Sequence, residues 1–224
     1  MKSKATVKGR SYDSSRRRAQ AEETRTLIVR VARDLFIDRG YGHTTLADVA
    51  RAAGVSVETI HKSIGTKGVL LHRAWDITVG GDDQDIVFHE RPEVMAIRRE
   101  ADLARRLMMH AAFSTQTAQR IAPFQLMVQS AAGSDPAASA MLEEMGRQRL
   151  AGISVMAAEA AKTGQLAVSE EGCRDIVWSM TDGMLWHRLV EERGWSNERF
   201  ADWLGQVWVD RLVNTTRGAT RSRR

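Results

Sequence analysis

The sequence predicts an all-α protein: an N-terminal three-helix, helix-turn-helix domain joined by a linking helix to a C-terminal helical bundle. Apolar residues recur at helical spacing through most of the 224 residues, and no long stretch shows the apolar–polar alternation of a strand. Capping residues also precede most of the periodic segments. The composition, 43% hydrophobic and 27% charged, is that of a globular chain able to bury a core.

The first helix is predicted from Glu22 to Gly40. Leu27, Val31 and Leu35 lie on one of two adjacent apolar rows. Gly40 suits the left-handed position that follows a helix. Residues 1–21 precede this pattern with Ser, Gly and basic residues and little to bury, so they are predicted to be a disordered basic arm.

Three short helical segments follow, each opened by a capping hydroxyl. Thr45 with Asp48 forms a capping box, Ser56 caps the next segment, and Thr66 caps a linking helix that ends at about Val79. The first domain is therefore placed at residues 22–79, ahead of a break at Gly80-Gly81-Asp82-Asp83.

The spacing of Ala50, Gly54 and Ile60 indicates a helix-turn-helix. Two helices that cross steeply need a small side chain at the contact, a turn residue that tolerates positive φ, and apolar residues beneath. The second helix would then present a set of side chains to the major groove of DNA: Val57, Glu58, Thr59, His61 and Lys62. A purely structural helical hairpin is the alternative.

The remainder, residues 80–216, is predicted to be a helical domain, followed by a basic tail at 217–224. Two helices are expected between residues 94 and 132, separated near Pro123. A long helix opens at Asp135-Pro136 and closes at Gly164. Ser169 and Ser196 open the last two helices, at about 170–193 and 197–214.

Charge is distributed unevenly along the chain. Residues 1–80 carry 15 Lys and Arg against 8 Asp and Glu, whereas residues 81–213 carry 14 against 20. A basic first third suits a module that binds a polyanion, although basic tails at both ends would also account for much of the excess. The single Cys173, the absence of zinc-like His or Cys spacing and the absence of a long apolar run predict a cytoplasmic protein with no metal, no cofactor and no membrane span.

The residues RGYGHTT, LADVARAAGVS and IHKSIGTKGVLL, together with the basic arm, resemble the DNA-binding region of the TetR family of transcriptional regulators over about residues 22–79. The resemblance implies a homodimer, a C-terminal ligand domain and repression of an operator that a small molecule relieves. It also implies that Thr44, Thr45 and Lys67 contact phosphate. The amide groups at the helix start capped by Ser56 are expected to face phosphates as well.

The C-terminal domain offers weaker candidates for the other partners. Adaptable or polar side chains on apolar faces could line an effector pocket: Met108, His110, Phe113, Gln116, Gln129 and Trp178. Residues of the last two helices could form the dimer interface that the resemblance implies: Met180, Met184, Trp186, His187 and Trp208. Each of these could instead be ordinary core.

No catalytic motif is present, so the chain is expected not to be an enzyme. The sequence predicts a homodimeric repressor that a small-molecule effector releases from double-stranded operator DNA. Two alternatives stay open: an architectural DNA-binding protein without an effector, and a helical small-ligand binding protein whose hairpin is structural.

Overall fold

The computed structural model describes residues 10–81 and 91–214, with side chains from residue 15 onward. The first nine residues of the predicted arm, Asp82 and Asp83 of the predicted break, and the predicted tail at 217–224 lie outside these described residues. Within them no β-strand occurs, and an isolated antiparallel bridge joins Leu166 to Val213.

The described chain forms helices in the following order: α1 Arg10–Arg39, α2 Leu46–Ala53, α3 Val57–Ser63, α4 Lys67–Gly80, α5 Pro92–Arg99, α6 Leu103–Ala132, α7 Pro136–Lys162, α8 Glu170–Met180, α9 Gly183–Trp186 and α10 Asn197–Leu212. A π-helical segment, His187–Glu192, continues α9. The helices fall into two compact units divided between Ile77 and Thr78.

The first unit packs α1, α2 and α3 around a small apolar core. Ile28 and Phe36 of α1, Val49 of α2 and Ile60 of α3 have no exposed surface. Gly54, between α2 and α3, has φ of +67° and donates its N–H to the carbonyls at the end of α2. The predicted helix-turn-helix geometry, with glycine in the left-handed turn, is confirmed.

Helix α1 begins at Arg10, twelve residues before the predicted start at Glu22. The expectation that Arg10 to Ala21 is disordered is therefore wrong for these residues. Local hydrogen bonds join the added segment to the predicted helix: Gln20 donates to the Glu23 carboxylate, and the Thr24 hydroxyl donates to the Gln20 carbonyl oxygen at 2.8 Å. Arg and Gln are good helix formers, so the segment continues the helix without an apolar face.

The second unit is a bundle of α6 to α10. Its core is buried and mainly apolar, and it draws on every one of these helices: Leu103, Leu107, Ala111, Ala118, Ala122, Ile153, Ala157, Ala160, Cys173, Val177, Trp186, Phe200, Leu204, Trp208 and Leu212. Gly205 lets α10 approach α6 closely, because a Cβ there would lie 2.5 Å from Met108 Sδ.

The predicted break near Pro123 is wrong, because α6 runs through that residue as one helix. The chain breaks earlier, where Asp102 caps α6 by accepting a hydrogen bond from Arg105 N. A proline removes one backbone hydrogen bond from a helix. The buried flanks of Pro123, Ala122 and Phe124, hold the two halves in line by packing.

The predicted helix at about 170–193 is also divided. Ser169 caps α8 as predicted, but α8 ends at Met180, and Asp182 opens α9 by accepting a hydrogen bond from Leu185 N. The Gly183 N–H donates to Gln125 Oε1 of α6 at 3.2 Å. This tertiary hydrogen bond gives the freed N–H a partner at the break, as a buried amide requires.

Candidate nucleic-acid interface

Thr44 lies inside the loop that leads into α2. Its side chain has no exposed surface, and its hydroxyl is within hydrogen-bond distance of the carbonyl oxygens of Leu35, at 3.2 Å, and Gly40, at 3.0 Å. A buried hydroxyl that donates to the backbone cannot reach a phosphate. Thr44 is therefore removed from the predicted phosphate contacts and assigned to holding the loop.

Thr45 is exposed and forms the predicted capping box. Its Oγ1 accepts from Asp48 N at 3.1 Å, while Asp48 Oδ2 accepts from Thr45 N at 3.0 Å. The hydrogen bonds from Thr45 hold the pKa of the Asp48 carboxyl below its ordinary value, so the cap stays charged at neutral pH. The box fixes the N-terminus of α2, whose positive dipole end favours an anion such as phosphate.

Helix α3 exposes four side chains on one face: Val57, Glu58, His61 and Lys62. They lie at positions i, i+1, i+4 and i+5, which fall on one side of a helix. Ile60, on the opposite side, has no exposed surface and anchors the helix to its unit. The structure thus brings four of the five residues predicted to enter the major groove onto one exposed face.

Thr59 is turned away from this face. It is half-buried, its amide donates to Ser56 Oγ at 3.0 Å, and its hydroxyl is 2.9 Å from the same oxygen. Ser56 therefore acts as the predicted cap of α3. Both hydroxyls take part in capping the helix, which leaves them poorly placed to read bases.

Lys67 is the first residue of α4 and is held by Tyr41. The ammonium Nζ donates to the Tyr41 carbonyl oxygen at 2.6 Å and lies 4.0 Å from the centroid of the Tyr41 ring. The Tyr41 ring packs edge-on against Phe36 with centroids 5.2 Å apart. The cation is thereby fixed beside the start of α4. Tyr41 is not among the predicted site residues; the sequence signal for it is an aromatic residue directly after Gly40, the glycine that follows α1.

The residues predicted to bind an effector do not form one pocket. Met108 lines an open groove of about 390 Å³ between α6 and α10, together with Ala104, Arg105, Met109, Gln206 and Val209. Gln116 and Gln129 are exposed. Met108 and Gln129 lie about 30 Å apart along α6, since each residue of a helix rises about 1.5 Å. A single small ligand cannot contact both.

His110 lies in an aromatic setting on α6. Its ring meets Trp208 edge-on at 5.7 Å and Phe113 at 6.5 Å between centroids, and Ser114 Oγ is 3.1 Å from its Nδ1. Burial lowers the pKa of His110 to about 4, so the imidazole is neutral at pH 7. The group offers a neutral hydrogen-bonding side chain rather than a charge.

Trp178, the last of the predicted effector residues, lies on α8 and is 38% exposed. Arg149 of α7 stacks over its ring at 4.5 Å and donates to its carbonyl oxygen at 2.7 Å. Trp178 is thus paired with α7 and is separate from the groove that Met108 lines.

The residues predicted for a dimer interface divide into two groups. Trp186 is 3% exposed and donates its Nε1–H to Asn197 Oδ1 at 2.8 Å, and Trp208 has no exposed surface. Both rings therefore belong to the protomer's own core and cannot meet a second chain. Met180, Met184 and His187 are half-buried and keep surface that a partner could cover.

Residues 10–81 and 91–214 contain no group of three or more His, Cys, Asp or Glu side chains able to hold a metal ion. No helix in those two stretches is long and apolar enough to cross a membrane.

Comparison with known proteins supports the helix-turn-helix unit and the fold. Residues 28–74 match the model of the family described as bacterial regulatory proteins, tetR family. No curated protein matches the chain.

Solved structures match along most of the chain. A proposed transcriptional regulator from Saccharomonospora viridis, in complex with choline, has 19% identity and a TM-score of 0.63, covering 86% of this chain and 99% of that one. NalD, the secondary repressor of the MexAB-OprM multidrug efflux pump in Pseudomonas aeruginosa, has 19% identity and a TM-score of 0.62, covering 87% and 99%. A proposed TetR-family regulator from Mesorhizobium loti has 15% identity and a TM-score of 0.65, covering 87% and 98%. At these identities the likeness establishes the fold.

Proposed function

We propose, from the match of residues 28–74 to the model of the tetR family of bacterial regulatory proteins, that the chain is a member of this family and acts as a homodimeric repressor that a small molecule releases from its operator. The observation that carries the proposal is the exposed face of α3, the helix that follows α2 with its cap at Thr45 and precedes α4 with Lys67 at its start. We assign base reading to the exposed side chains of this face, and phosphate contacts to the Lys67 ammonium and the start of α2.

A single α3 is too short to specify an operator. Its seven residues span about 10 Å, enough to read only a few base pairs. Two copies related by a two-fold axis would place their α3 helices in successive major grooves about 34 Å apart. The half-buried Met180, Met184 and His187, between the end of α8 and the start of the π-helical segment, support an interface between copies there.

An effector site is proposed at the groove between α6 and α10. Its lining is apolar apart from Arg105 and Gln206, and two methionines can adapt to an irregular ligand. Choline, present in the Saccharomonospora viridis structure, makes quaternary ammonium compounds the first class to test. An effector releases DNA only if it binds the DNA-incompetent conformation more tightly.

The DNA-binding part of the proposal is tested by a salt titration. Wild type should bind duplex DNA with an affinity that falls steeply with salt, and Lys67→Ala should lower affinity for all sequences about equally. Loss of one phosphate contact in each protomer should reduce the slope of log K against log salt by about 1.8. Arg147→Ala, an exposed cation on α7, is the matched control and should change neither quantity. An unchanged slope for Lys67→Ala would refute this docking.

The effector part is tested separately by thermal shift with choline and larger quaternary ammonium compounds, followed by operator release. Met108→Trp should fill the groove and abolish both effects while DNA binding persists. Compounds that raise Tm without releasing DNA would favour the architectural alternative.

A further inference from the structure

An ion pair occupies the exposed face of α3. Lys62 Nζ lies 2.8 Å from Glu58 Oε1, and the two side chains are 77% and 74% exposed. An exposed i, i+4 pair adds only about 0.3–0.5 kcal/mol to a helix, so stability alone gives it little value. Glu58 is also a liability on a DNA-facing surface, because phosphates repel a carboxylate. A specific donor on the bases would offset that repulsion.

The major groove offers one base pair whose groups match this ion pair. A G·C pair presents guanine O6 and N7 as acceptors and cytosine N4 as a donor. O6 and N4 hydrogen-bond to each other within the base pair, so they lie about 2.9 Å apart. The acceptor of Glu58 and the donor of Lys62 have almost the same spacing with the opposite order of donor and acceptor.

We infer that the Glu58–Lys62 pair reads one G·C base pair in each half-site, the carboxylate accepting from cytosine N4 and the ammonium donating to guanine O6 and N7. Lys62 cancels the charge of Glu58, which lowers the cost of bringing a carboxylate into the groove. The inference rests on the proposed function and names the base that this face selects.

The same geometry ranks the other base pairs. A T·A pair presents thymine O4 and adenine N6 in the same order, but the thymine methyl replaces guanine N7, so Lys62 loses one acceptor. The inverted C·G and A·T pairs place an amino group before the ammonium and an oxygen before the carboxylate. These two orientations are repulsive at both contacts and should bind worst.

The test begins with selection of wild-type binding sites from randomised duplexes, using the full chain. A two-fold symmetric motif with a fixed G·C pair in each half is expected, and substitution of that pair by C·G should weaken binding roughly 5- to 150-fold. Replacing the guanine by 7-deazaguanine, which lacks the N7 acceptor, should weaken it by a smaller factor.

The decisive variant exchanges the two charges, Glu58→Lys with Lys62→Glu. Net charge is unchanged, and the exposure of both positions makes loss of folding unexpected, which circular dichroism checks. The selected motif should change at that single position from G·C to the inverted C·G. The matched control, Glu143→Arg with Arg147→Glu, exchanges an exposed i, i+4 pair on α7 and should leave the motif unchanged.

The outcomes distinguish a failure of the proposed function from a failure of the base assignment alone. A wild-type protein that selects no motif would refute both the proposed function and the base assignment. A clear motif that is the same for wild type and the charge-exchanged variant would overturn the base assignment alone. If the charge-exchanged variant selects no motif, binding of the wild type to the G·C and C·G duplexes is the test. Equal affinity for the two duplexes at every position of the motif would overturn the base assignment.

Discussion

Thr44 and Thr45 are adjacent in sequence, but one is buried and the other exposed. The burial of Thr44 and its two carbonyl partners in α1 and the following loop tie the start of α2 to the end of α1. Thr45 instead caps α2 from outside. Two chemically identical side chains therefore support the same surface, one through the core and one through the helix end.

This division predicts different effects of removing each hydroxyl. Thr44→Val should lower the free energy of unfolding by about 1–2 kcal/mol, because the buried hydroxyl and its hydrogen bonds to the Leu35 and Gly40 carbonyl oxygens are lost. The DNA affinity of the folded protein should stay close to wild type. Urea unfolding and DNA titration of the same samples check this. A stable Thr44→Val variant with weak DNA binding would restore Thr44 as a phosphate contact.

His110 should make stability depend on pH. Its pKa of about 4 in the folded state is below the ordinary 6.5, so the unfolded chain takes up the proton first as pH falls. Stability should therefore be full at pH 7 and decline between about pH 6.5 and pH 4. For this partly buried side chain we expect a loss of about 1–3 kcal/mol.

The matched variant is His110→Gln, which keeps a polar group near Ser114 and cannot titrate. Wild type should lose about 1–3 kcal/mol more than this variant between pH 7 and pH 4 in denaturant unfolding. The carboxylates that titrate in the same range are common to both proteins. Parallel pH profiles would show that His110 is solvated in the folded state.

At the scale of elements, α6 and α9 determine how the bundle closes. Gly183 begins α9 against α6, and a Cβ at this position would lie 3.0 Å from Ala122 Cα and 3.1 Å from Ala122 Cβ. The segment of α6 around Pro123 thus faces the break between α8 and α9. Pro123 within α6 and the break between α8 and α9 lie next to each other, because the small residues Ala122 and Gly183 allow the backbones of α6 and α9 to approach.

Gly183→Ala should consequently destabilise the second unit by about 1–3 kcal/mol, since neither the Ala122 backbone nor α9 can move without disturbing the core. Gly152→Ala is the control: this helical glycine of α7 has open space around its Cβ position, and alanine there should stabilise by about 0.5–1 kcal/mol. Thermal unfolding of both variants measures the difference. Equal and positive shifts in Tm would contradict the close approach of α6 and α9.

At the scale of the whole molecule, dimer formation depends on residues that the protomer leaves uncovered. Met184→Glu would place an unpaired carboxylate at a half-buried position of the proposed interface, at a cost of several kcal/mol if a second chain covers it. We expect this variant to be monomeric by light scattering at micromolar concentration and to bind DNA weakly. Ala151→Glu, on an exposed face of α7, should remain dimeric.

Trp186→Glu gives no equivalent information about the dimer, because its ring is buried in the protomer. It should lower Tm sharply whatever the oligomeric state, since a carboxylate would replace a core indole. A dimeric Met184→Glu protein with unchanged DNA affinity would place the contact between copies on another face.

Local chemistry was enough to predict the helical class, the helix-turn-helix and most helix starts. These features depend on local chemistry: a capping hydroxyl at Thr45, Ser56, Ser169 or Ser196 acts within three residues, and Gly54 needs only its own backbone freedom. Four of the five side chains predicted for the exposed face of α3 share one side of the helix, as i, i+4 spacing requires, and Thr59 does not.

Which side chains are buried, and where helices break or continue against the local signals, depends on tertiary packing. Pro123 stays inside α6 because packing outweighs one lost hydrogen bond. The chain breaks between α8 and α9, where the Gly183 N–H donates to Gln125 of α6. Tertiary packing also buries Thr44, Trp186 and Trp208, which were predicted to contact DNA or a second chain. Their burial depends on residues distant in sequence, and a pattern of period 3.6 marks an apolar face without naming what covers it.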